Sequence, residues 1–261
     1  MSNAASTGTA LVTGASRGLG AVIARRLAAE GHAVAVNYRT DGAAAREVVA
    51  DIRTAGGTAE AFAADVTDEA AVTALVAAVS DRLGPVTTLV LNATGAQPQL
   101  DPTEVTWDDH LAQLTFFVKS PTLLMRATLP AMRERGGGRI IQIGSDVLER
   151  ALPDMSAYVA AKAAQHALTE CWARALGPYG ITVNTVAPGW IPVERHAGAS
   201  PASLAAYAAA VPLGRMGRPE DVAAAVCFLA SPEASFVTGE RVRINGGHTL
   251  GPGTAGGVDR P

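Results

Sequence analysis

Short apolar runs alternate with longer Ala-rich stretches along most of the chain. The apolar runs are typical of buried strands, and the Ala-rich stretches have the length and composition of helices. This alternation predicts β-α-β units and therefore a parallel sheet covered by helices. The predicted strands are residues 9–13, 33–37, 59–63, 88–91, 139–143, 181–186 and 241–244. The predicted helices are residues 21–30, 43–55, 68–83, 107–135, 156–176 and 221–230.

The chain has 261 residues, which is enough for one large α/β domain with a sizeable core. No internal repeat and no linker divides it, so we predict a single domain over residues 1–261. Its core spans about residues 8–250, and the Gly- and Pro-rich segment 251–261 is predicted to be a loose tail or an oligomer arm.

Composition and charge narrow the functional class. The net charge of -3 offers no basic field for nucleic acid or an anionic membrane, and no apolar run is long enough to span a bilayer. Without a secretion signal, we expect a cytoplasmic protein in which Cys171 and Cys227 are small buried hydrophobic residues. The five histidines have no metal-ligand spacing, so no metal site is expected.

A glycine-rich turn follows the first predicted strand and leads into a helix. Glycines let the backbone turn tightly and approach a pyrophosphate, while the helix N-terminus supplies N–H donors and a partial positive charge. Three glycines alone are a weak signal, but the strand–turn–helix context strengthens it. The predicted phosphate-binding residues are Gly14, Ser16, Arg17, Gly18, Leu19 and Gly20.

The end of the second predicted strand bears on the choice of cofactor. An acidic residue there would bind the ribose 2′-hydroxyl of NAD, but the chain has Asn37, Tyr38 and Arg39 instead. Two cations, Arg17 and Arg39, favour a 2′-phosphate and hence NADP(H), although Asp41 nearby leaves NAD(H) open.

Tyr158 and Lys162 have the i, i+4 spacing that places both on one face of a predicted helix. A neighbouring ammonium stabilises the phenolate and lowers the pKa of the tyrosine hydroxyl toward neutrality, where it can serve as a general acid or base. Lys162 is also one of only two lysines beside nineteen arginines. Ser145 follows the fifth predicted strand, where a hydroxyl could orient a substrate carbonyl.

Together these residues resemble the short-chain dehydrogenase/reductase family, and in particular its 3-oxoacyl-carrier-protein reductase-like members. The resemblance covers about residues 8–250. It rests on the glycine turn, Asp65-Val66, Asn92-Ala93, Ser145, the Tyr158–Lys162 pair, Pro188-Gly189 and Asn245-Gly246-Gly247, all in the family's order and spacing.

The resemblance implies a Rossmann-type doubly wound sheet of seven strands and a homo-oligomer, commonly a tetramer. It implies that Tyr158 is the general acid/base, Ser145 positions the substrate, and Lys162 binds the nicotinamide ribose. It further implies cofactor contacts near the adenine, on the central strand and beside the nicotinamide, from Asp65, Val66, Asn92, Pro188, Gly189 and Ile191.

The chain departs from the family pattern in three places. Thr94 stands where the family usually has glycine, and Val193 stands where a threonine is common. The family's catalytic Asn is missing, because the two ways of aligning its helix place Leu114 or Phe117 there. The two alignments differ by three residues, which implies an insertion of about three residues in this helix.

The missing Asn normally holds a water that connects the lysine to solvent. We hypothesise that Gln113 or Lys119 replaces it through an altered helix; the alternative is that Lys119 only extends along the helix surface. Glu194-Arg195-His196 either gates the site or forms a solvated charge cluster.

The predicted function is hydride transfer between NADP(H) and a ketone or secondary alcohol. An apolar pocket favours a bulky or cyclic carbonyl substrate. The alternatives are a nucleotide-binding scaffold or sensor with reduced turnover, and a dehydratase or epimerase on the same fold. The predicted pocket residues are Gln97, Phe117, Leu148, Met155 and Trp190.

Overall fold

Seven parallel strands form one sheet in the computed structural model, which describes residues 8–250. In the sheet they lie in the order β3-β2-β1-β4-β5-β6-β7. The prediction of a doubly wound, Rossmann-type sheet is confirmed. The order reverses between β1 and β4, and such sheets bind ligands at the carboxyl ends of the strands beside this reversal. The strands are β1 (Thr9–Val12), β2 (Ala33–Tyr38), β3 (Thr58–Ala63), β4 (Val86–Leu91), β5 (Gly138–Ile143), β6 (Ile181–Pro188) and β7 (Arg241–Ile244).

Helices cover both faces of this sheet. They are α1 (Gly18–Ala29), α2 (Gly42–Thr54), α3 (Glu69–Leu83), α4 (Trp107–Leu114), α5 (Ser120–Glu134), α6 (Val147–Arg150), α7 (Ser156–Leu176), α8 (Pro201–Ala210) and α9 (Pro219–Ala230). Short 3-10 helices span Gly177–Tyr179, Glu194–His196 and Pro232–Ala234.

Two apolar clusters hold the layers together, one on each face. Alternate residues of β1 point to opposite faces, so Val12 joins the cluster under α1, α2 and α9 while Leu11 joins the cluster under α3, α5 and α7. Both faces of the sheet are covered, so β4 and β6 are buried along their whole length and consist mostly of apolar residues, as expected for central parallel strands. The clusters fix the sheet and leave the carboxyl ends of the strands free to form a site.

The predicted helix 107–135 is not one continuous α-helix. α4 is followed by a π-helical segment, Thr115–Lys119, and only then by α5. Pro121 at the start of α5 has no N–H for an i→i−4 bond, and a π turn is the usual way to absorb extra residues in a helix. The hydroxyl of Thr122 donates to the carbonyl of Val118 at 2.7 Å and so compensates part of the altered bonding. The π-helical segment lies within the helix in which the resemblance implies about three inserted residues.

Other differences are smaller. The first helix starts at Gly18, three residues before its predicted start, because the glycine turn itself enters the helix. Two helices, α6 and α8, were not predicted. The expectation that both cysteines are buried is wrong for Cys171, which is exposed, and holds for Cys227. The predicted tail 251–261 lies outside the described residues.

Candidate active site

The glycine turn between β1 and α1 has the backbone shape that its sequence requires. Gly14 and Gly18 have φ angles of 61° and 56°, in the left-handed region that favours glycine. A Cβ added to Gly20 would lie 2.4 Å from the carbonyl oxygen of Gly14, so α1 can approach the turn only with glycine there. The N-cap residue Arg17 makes no side-chain cap. The first N–H groups of α1 therefore suit a pyrophosphate, and the turn fits a dinucleotide.

Asn92, just after β4, holds this turn from the neighbouring strand. Its Nδ2 donates to the carbonyl oxygens of Thr13 at 2.9 Å and Gly14 at 3.1 Å. The Thr13 hydroxyl accepts from the backbone N–H groups of Asn92 and Ala93 in return. These hydrogen bonds join the segments that follow β1 and β4, at the place where the strand order reverses.

Asn37, the buried penultimate residue of β2, holds the turn from the other side. Its Oδ1 accepts from the N–H of Gly14 at 3.3 Å, and its Nδ2 donates to the carbonyls of Phe62 and Ala64. From the sequence, this position was noted only because it lacks an acidic residue. The structure makes Asn37 a positioning residue, because its amide accepts from Gly14 and also donates to two carbonyls, which a carboxylate could not do.

The ends of β2 and β3 form a corner with cationic side chains. Arg39 is more than half exposed and lies 3.8 Å from the carboxylate of Asp65. Hydrogen bonds from the side chain and backbone of Thr67 lower the pKa of Asp65, and Arg39 adds to this effect. A Cβ added to Gly42 would lie 3.1 Å from the Tyr38 hydroxyl and 3.3 Å from Arg46 Nη1, so a second arginine reaches the same corner.

Lys162 is buried on α7, and its ammonium contacts a main-chain carbonyl, a side-chain amide and an aromatic ring. Nζ donates to the carbonyl of Ile143 at 2.6 Å and to Oε1 of Gln165 at 3.0 Å. It also lies 3.7 Å from the centre of the Phe117 ring. Ile143 is the last residue of β5, so these contacts fix the ammonium at the carboxyl edge of the sheet. Gln165 was not among the predicted site residues, although its i, i+3 spacing from Lys162 was a usable signal.

Tyr158 lies one turn before Lys162 and is also buried. The edge of the Phe117 ring meets the Tyr158 ring at a centroid distance of 5.5 Å. Met155 packs on the same cluster. The predicted residues Phe117, Met155, Tyr158 and Lys162 are therefore brought together, with Phe117 beneath the pair.

Ser145 follows β5 after Gly144, and its hydroxyl oxygen accepts from the N–H of Val147 at 3.3 Å. The next residue, Asp146, is buried and its N–H donates to the carbonyl of Pro188 at 2.9 Å. Burial raises the pKa of Asp146, while Arg150 and other neighbours oppose that shift. The segment that carries Ser145 is thus tied to the end of β6.

The residues predicted after β6 occupy different environments. The N–H of Gly189 donates to the carbonyl of Ile244 at 3.1 Å. Ile191 is buried in the core, as is the predicted cofactor residue Val66. Trp190 is half-buried and packs edge-on against Tyr207 at 5.4 Å and His196 at 6.2 Å.

The remaining predicted residues lie around this centre. Leu148 is half-buried on α6, Ser16 and Leu19 are half-buried in the glycine turn, and Gln97 donates to Thr94 Oγ1 in the loop after β4. Of the two residues suggested to replace the missing Asn, Lys119 is exposed and Gln113 donates to the carbonyl of Ala96. The side-chain amide that accepts a hydrogen bond from Lys162 belongs to Gln165. The replacement of the missing Asn by Gln113 or Lys119 stays a prediction.

The loop after β6 also reaches the glycine turn. A Cβ added to Gly18 would lie 3.3 Å from a carboxylate oxygen of Glu194, and 3.6 Å from Cβ of Val193. His196 Nδ1 accepts from the N–H of Val193 at 3.2 Å. The segment therefore packs over the start of α1.

Within residues 8–250, none of the helices combines the length and the apolar character needed to cross a membrane.

Comparison with known proteins places this chain in a family. Residues 14–249 match a family model described as enoyl-(acyl carrier protein) reductase. The 3-oxoacyl-[acyl-carrier-protein] reductase of Vibrio cholerae is 37% identical over 241 residues, covering 91% of this chain and 96% of that protein.

Two solved structures are similar over nearly the whole chain. A mutant Serratia marcescens short-chain dehydrogenase/reductase has a TM-score of 0.87 and 36% identity, covering 94% of this chain and 98% of its own. The angucycline C-6 ketoreductase LanV with bound NADP has a TM-score of 0.87 and 33% identity, covering 94% and 97%. The chain therefore belongs to the short-chain dehydrogenase/reductase family of oxidoreductases.

Proposed function

We propose that this protein is an NADPH-dependent ketoreductase that reduces a bulky or cyclic ketone to a secondary alcohol. The observation that carries the proposal is the buried Lys162 ammonium, fixed to the carbonyl of Ile143 with Tyr158 one turn earlier on the same helix. This arrangement provides a proton donor and a fixed positive charge at the carboxyl edge of the sheet, where the glycine turn also lies.

Each residue of this pair has a distinct role in the proposed reaction. When bound, NADPH supplies the hydride that goes to the carbonyl carbon. The Tyr158 hydroxyl donates its proton to the carbonyl oxygen, and the Ser145 hydroxyl holds that oxygen in place. The Lys162 ammonium binds the nicotinamide ribose and stabilises the phenolate that Tyr158 leaves behind. The products are the secondary alcohol, NADP⁺ and the Tyr158 phenolate, which then takes up one proton from solvent, so atoms and charge balance.

The preference for NADPH is supported by the corner at the ends of β2 and β3. Arg39, Arg46 and the exposed Arg17 supply guanidinium groups, which pair well with a phosphate. Asp65 would meet the adenine, and its carboxylate keeps Arg39 at this corner. The similar ketoreductase LanV was solved with NADP bound, which agrees with this assignment.

The substrate class is proposed from the apolar residues around the site. Met155, Leu148 and Trp190 are each half-buried, so they keep apolar surface available for contact. A pocket of this kind favours a bulky carbonyl compound over a small polar one. Two of the similar proteins are named for a 3-oxoacyl-carrier-protein and an angucycline, both bulky carbonyl compounds, while two others are named for gluconate, so the apolar residues carry this part of the proposal.

The decisive experiment follows the absorbance of NADPH with the purified protein and a panel of substrates. The panel contains a 3-oxoacyl thioester, a polycyclic ketone and, because of the matched family model, an enoyl thioester. Tyr158→Phe should lower turnover of the ketones by about 10²–10⁴-fold, since it removes the proton donor. Tyr179→Phe, at an exposed tyrosine in the 3-10 helix that follows α7, is the matched control and should leave turnover unchanged.

Three results would overturn the proposal. Tight NADPH binding without oxidation by any substrate would favour the scaffold or sensor. Reduction of the enoyl thioester alone would mean that the protein reduces a carbon–carbon double bond. Conversion of a substrate with no net change in NADPH would favour a dehydratase or epimerase.

A further inference from the structure

Helix α8 has an unusual attachment to the rest of the protein. It spans Pro201–Ala210, six of its ten residues are alanine, and none of its residues is fully buried. Alanine gives the segment high helix propensity but provides little apolar surface for packing. Tyr207 is its largest side chain and is half-buried. The position of α8 therefore depends strongly on what Tyr207 contacts.

Tyr207 contacts the segment that follows β6. Its hydroxyl oxygen accepts a hydrogen bond from the backbone N–H of Trp190 at 2.8 Å. Its ring also meets the Trp190 indole edge-on, at a centroid distance of 5.4 Å and an angle of 86°. One side chain thus fixes both the main chain and the ring of Trp190, because an edge-to-face pair has a preferred geometry.

Gly189 makes this approach possible. A Cβ added at Gly189 would lie 2.6 Å from the Tyr207 hydroxyl oxygen. A real Cβ would force the hydroxyl out of reach of the Trp190 N–H. The glycine after Pro188 is therefore matched to the tyrosine of α8.

Tyr207 also contacts one residue after β5, Arg150, and one residue after β7, His248. Its ring lies 4.4 Å from the ring of His248, and Arg150 lies above it at 5.5 Å. His248 Nδ1 is 3.8 Å from the carboxylate of Asp146, which also accepts a hydrogen bond from Asn245 at 3.3 Å. Burial raises the pKa of Tyr207, so its hydroxyl stays protonated and neutral near physiological pH.

Three chain segments consequently converge under one side chain of α8. They are the segment after Ser145, the segment after Pro188 and the segment after β7. Two of these segments carry residues of the proposed active site. Trp190 is in direct contact with Tyr207, and Ser145 is the chain neighbour of Asp146. We propose that Tyr207 is a positioning residue that fixes Trp190 and holds α8 over the substrate pocket, and so determines affinity for the carbonyl substrate.

This inference rests on the proposed function only in naming a carbonyl substrate, so its test has two separate measurements. The first is hydrogen–deuterium exchange of the wild type and Tyr207→Phe, which keeps the ring and removes the hydroxyl. We expect exchange about five- to tenfold faster in α8 and at Trp190, because the lost hydrogen bond lets both open locally. Exchange in β4 and β5 should not change.

The second measurement is the steady-state kinetics of the same proteins with a polycyclic ketone. Tyr207→Phe should raise KM for the ketone about five- to tenfold, while kcat and KM for NADPH change less than twofold. Tyr207→Leu, which also removes the ring contacts, should raise KM further. Tyr179→Phe removes the same hydroxyl at a remote exposed position and should change neither measurement.

The outcomes separate this inference from the proposed function. Unchanged exchange in α8 and at Trp190 in Tyr207→Phe would overturn the inference, whatever the activity. Faster exchange with an unchanged KM for the ketone would overturn the substrate role. If the wild type reduces no ketone, the proposed function fails, while the exchange experiment still decides whether Tyr207 holds α8.

Discussion

The ammonium of Lys162 lies 3.7 Å from the centre of the Phe117 ring, and the ring reaches this place through the π-helical segment between α4 and α5. A cation over an aromatic face in a desolvated site is stabilised by about 0.5–2 kcal/mol. Phe117 stands at the position of the family's catalytic Asn in one of the two alignments, and there an aromatic ring contacts the ammonium.

Phe117→Leu tests this contact, because leucine keeps an apolar side chain and removes the ring. We expect it to lower the free energy of unfolding by about 1–3 kcal/mol, through the lost cation–π contact and the smaller buried volume. The measurement is urea denaturation, with Phe116→Leu as the control on the same segment. Phe116 packs on Gly95 and is half-buried, so Phe116→Leu should lower the free energy of unfolding less than Phe117→Leu does. Equal losses in the two variants would contradict a specific role for Phe117.

Gln165→Leu tests the second partner of Lys162. Nζ donates to Oε1 of Gln165 at 3.0 Å, and leucine would leave a buried ammonium with one acceptor fewer. We expect a loss of about 1–3 kcal/mol in stability, and a several-fold lower kcat because the ammonium is less firmly placed. Lys119→Met, at an exposed position, should change kcat less than twofold. A larger loss of kcat in Lys119→Met than in Gln165→Leu would instead support Lys119 as the residue that replaces the missing Asn.

The sequence predicted the strands and most helices because buried parallel strands are short apolar runs with helical stretches between them. The sequence could not predict the π-helical segment, because residues such as Phe116 and Phe117 occur in either type of helix. The implied insertion was the one sign of an irregular helix. It missed α8 because an Ala-rich helix without a buried face has no polar–apolar periodicity.

The candidate site shows a similar division. The glycine turn and the Tyr158–Lys162 pair are local patterns, so their spacing was sufficient to find them. The contact of Tyr207 with Trp190 joins residues 17 positions apart through a hydroxyl and a backbone N–H, which no sequence pattern marks. The exposure of Cys171 could have been predicted from the sequence. Helical spacing places Cys171 off the face of α7 that carries the buried residues Tyr158, Lys162 and Gln165.

Asp221→Asn tests the start of α9 and its dependence on pH. Arg215 binds the Asp221 carboxylate at 2.7 Å and 3.0 Å, and lowers its pKa to about 2. The N–H of Arg218 donates to the same group. Because the folded pKa is depressed, the stabilisation is complete above the unfolded value of about 3.8 and is lost as the pH falls toward 2.

We therefore expect Asp221→Asn to lower the free energy of unfolding by about 1 kcal/mol at pH 7, a value kept small because the pair is partly exposed. The difference from the wild type should shrink as the pH is lowered from about 4 to 2, between the unfolded and the folded pKa of Asp221. Glu220→Gln, in the same first turn of α9, should stay within about 0.5 kcal/mol of the wild type. A difference that does not vary with pH would show that the carboxylate charge contributes nothing.

Arg39→Ala tests the choice of cofactor at the ends of β2 and β3. Arg39 is more than half exposed and lies 3.8 Å from Asp65, so it can turn to a 2′-phosphate without breaking a buried contact. The loss of a charge-assisted bond should raise KM for NADPH about 10–100-fold and change KM for NADH less than threefold. Arg25→Ala, which removes an exposed arginine paired with Asp51, is the control and should change neither value. A wild-type enzyme that used NADH better than NADPH would mean that Arg39 serves only to neutralise Asp65.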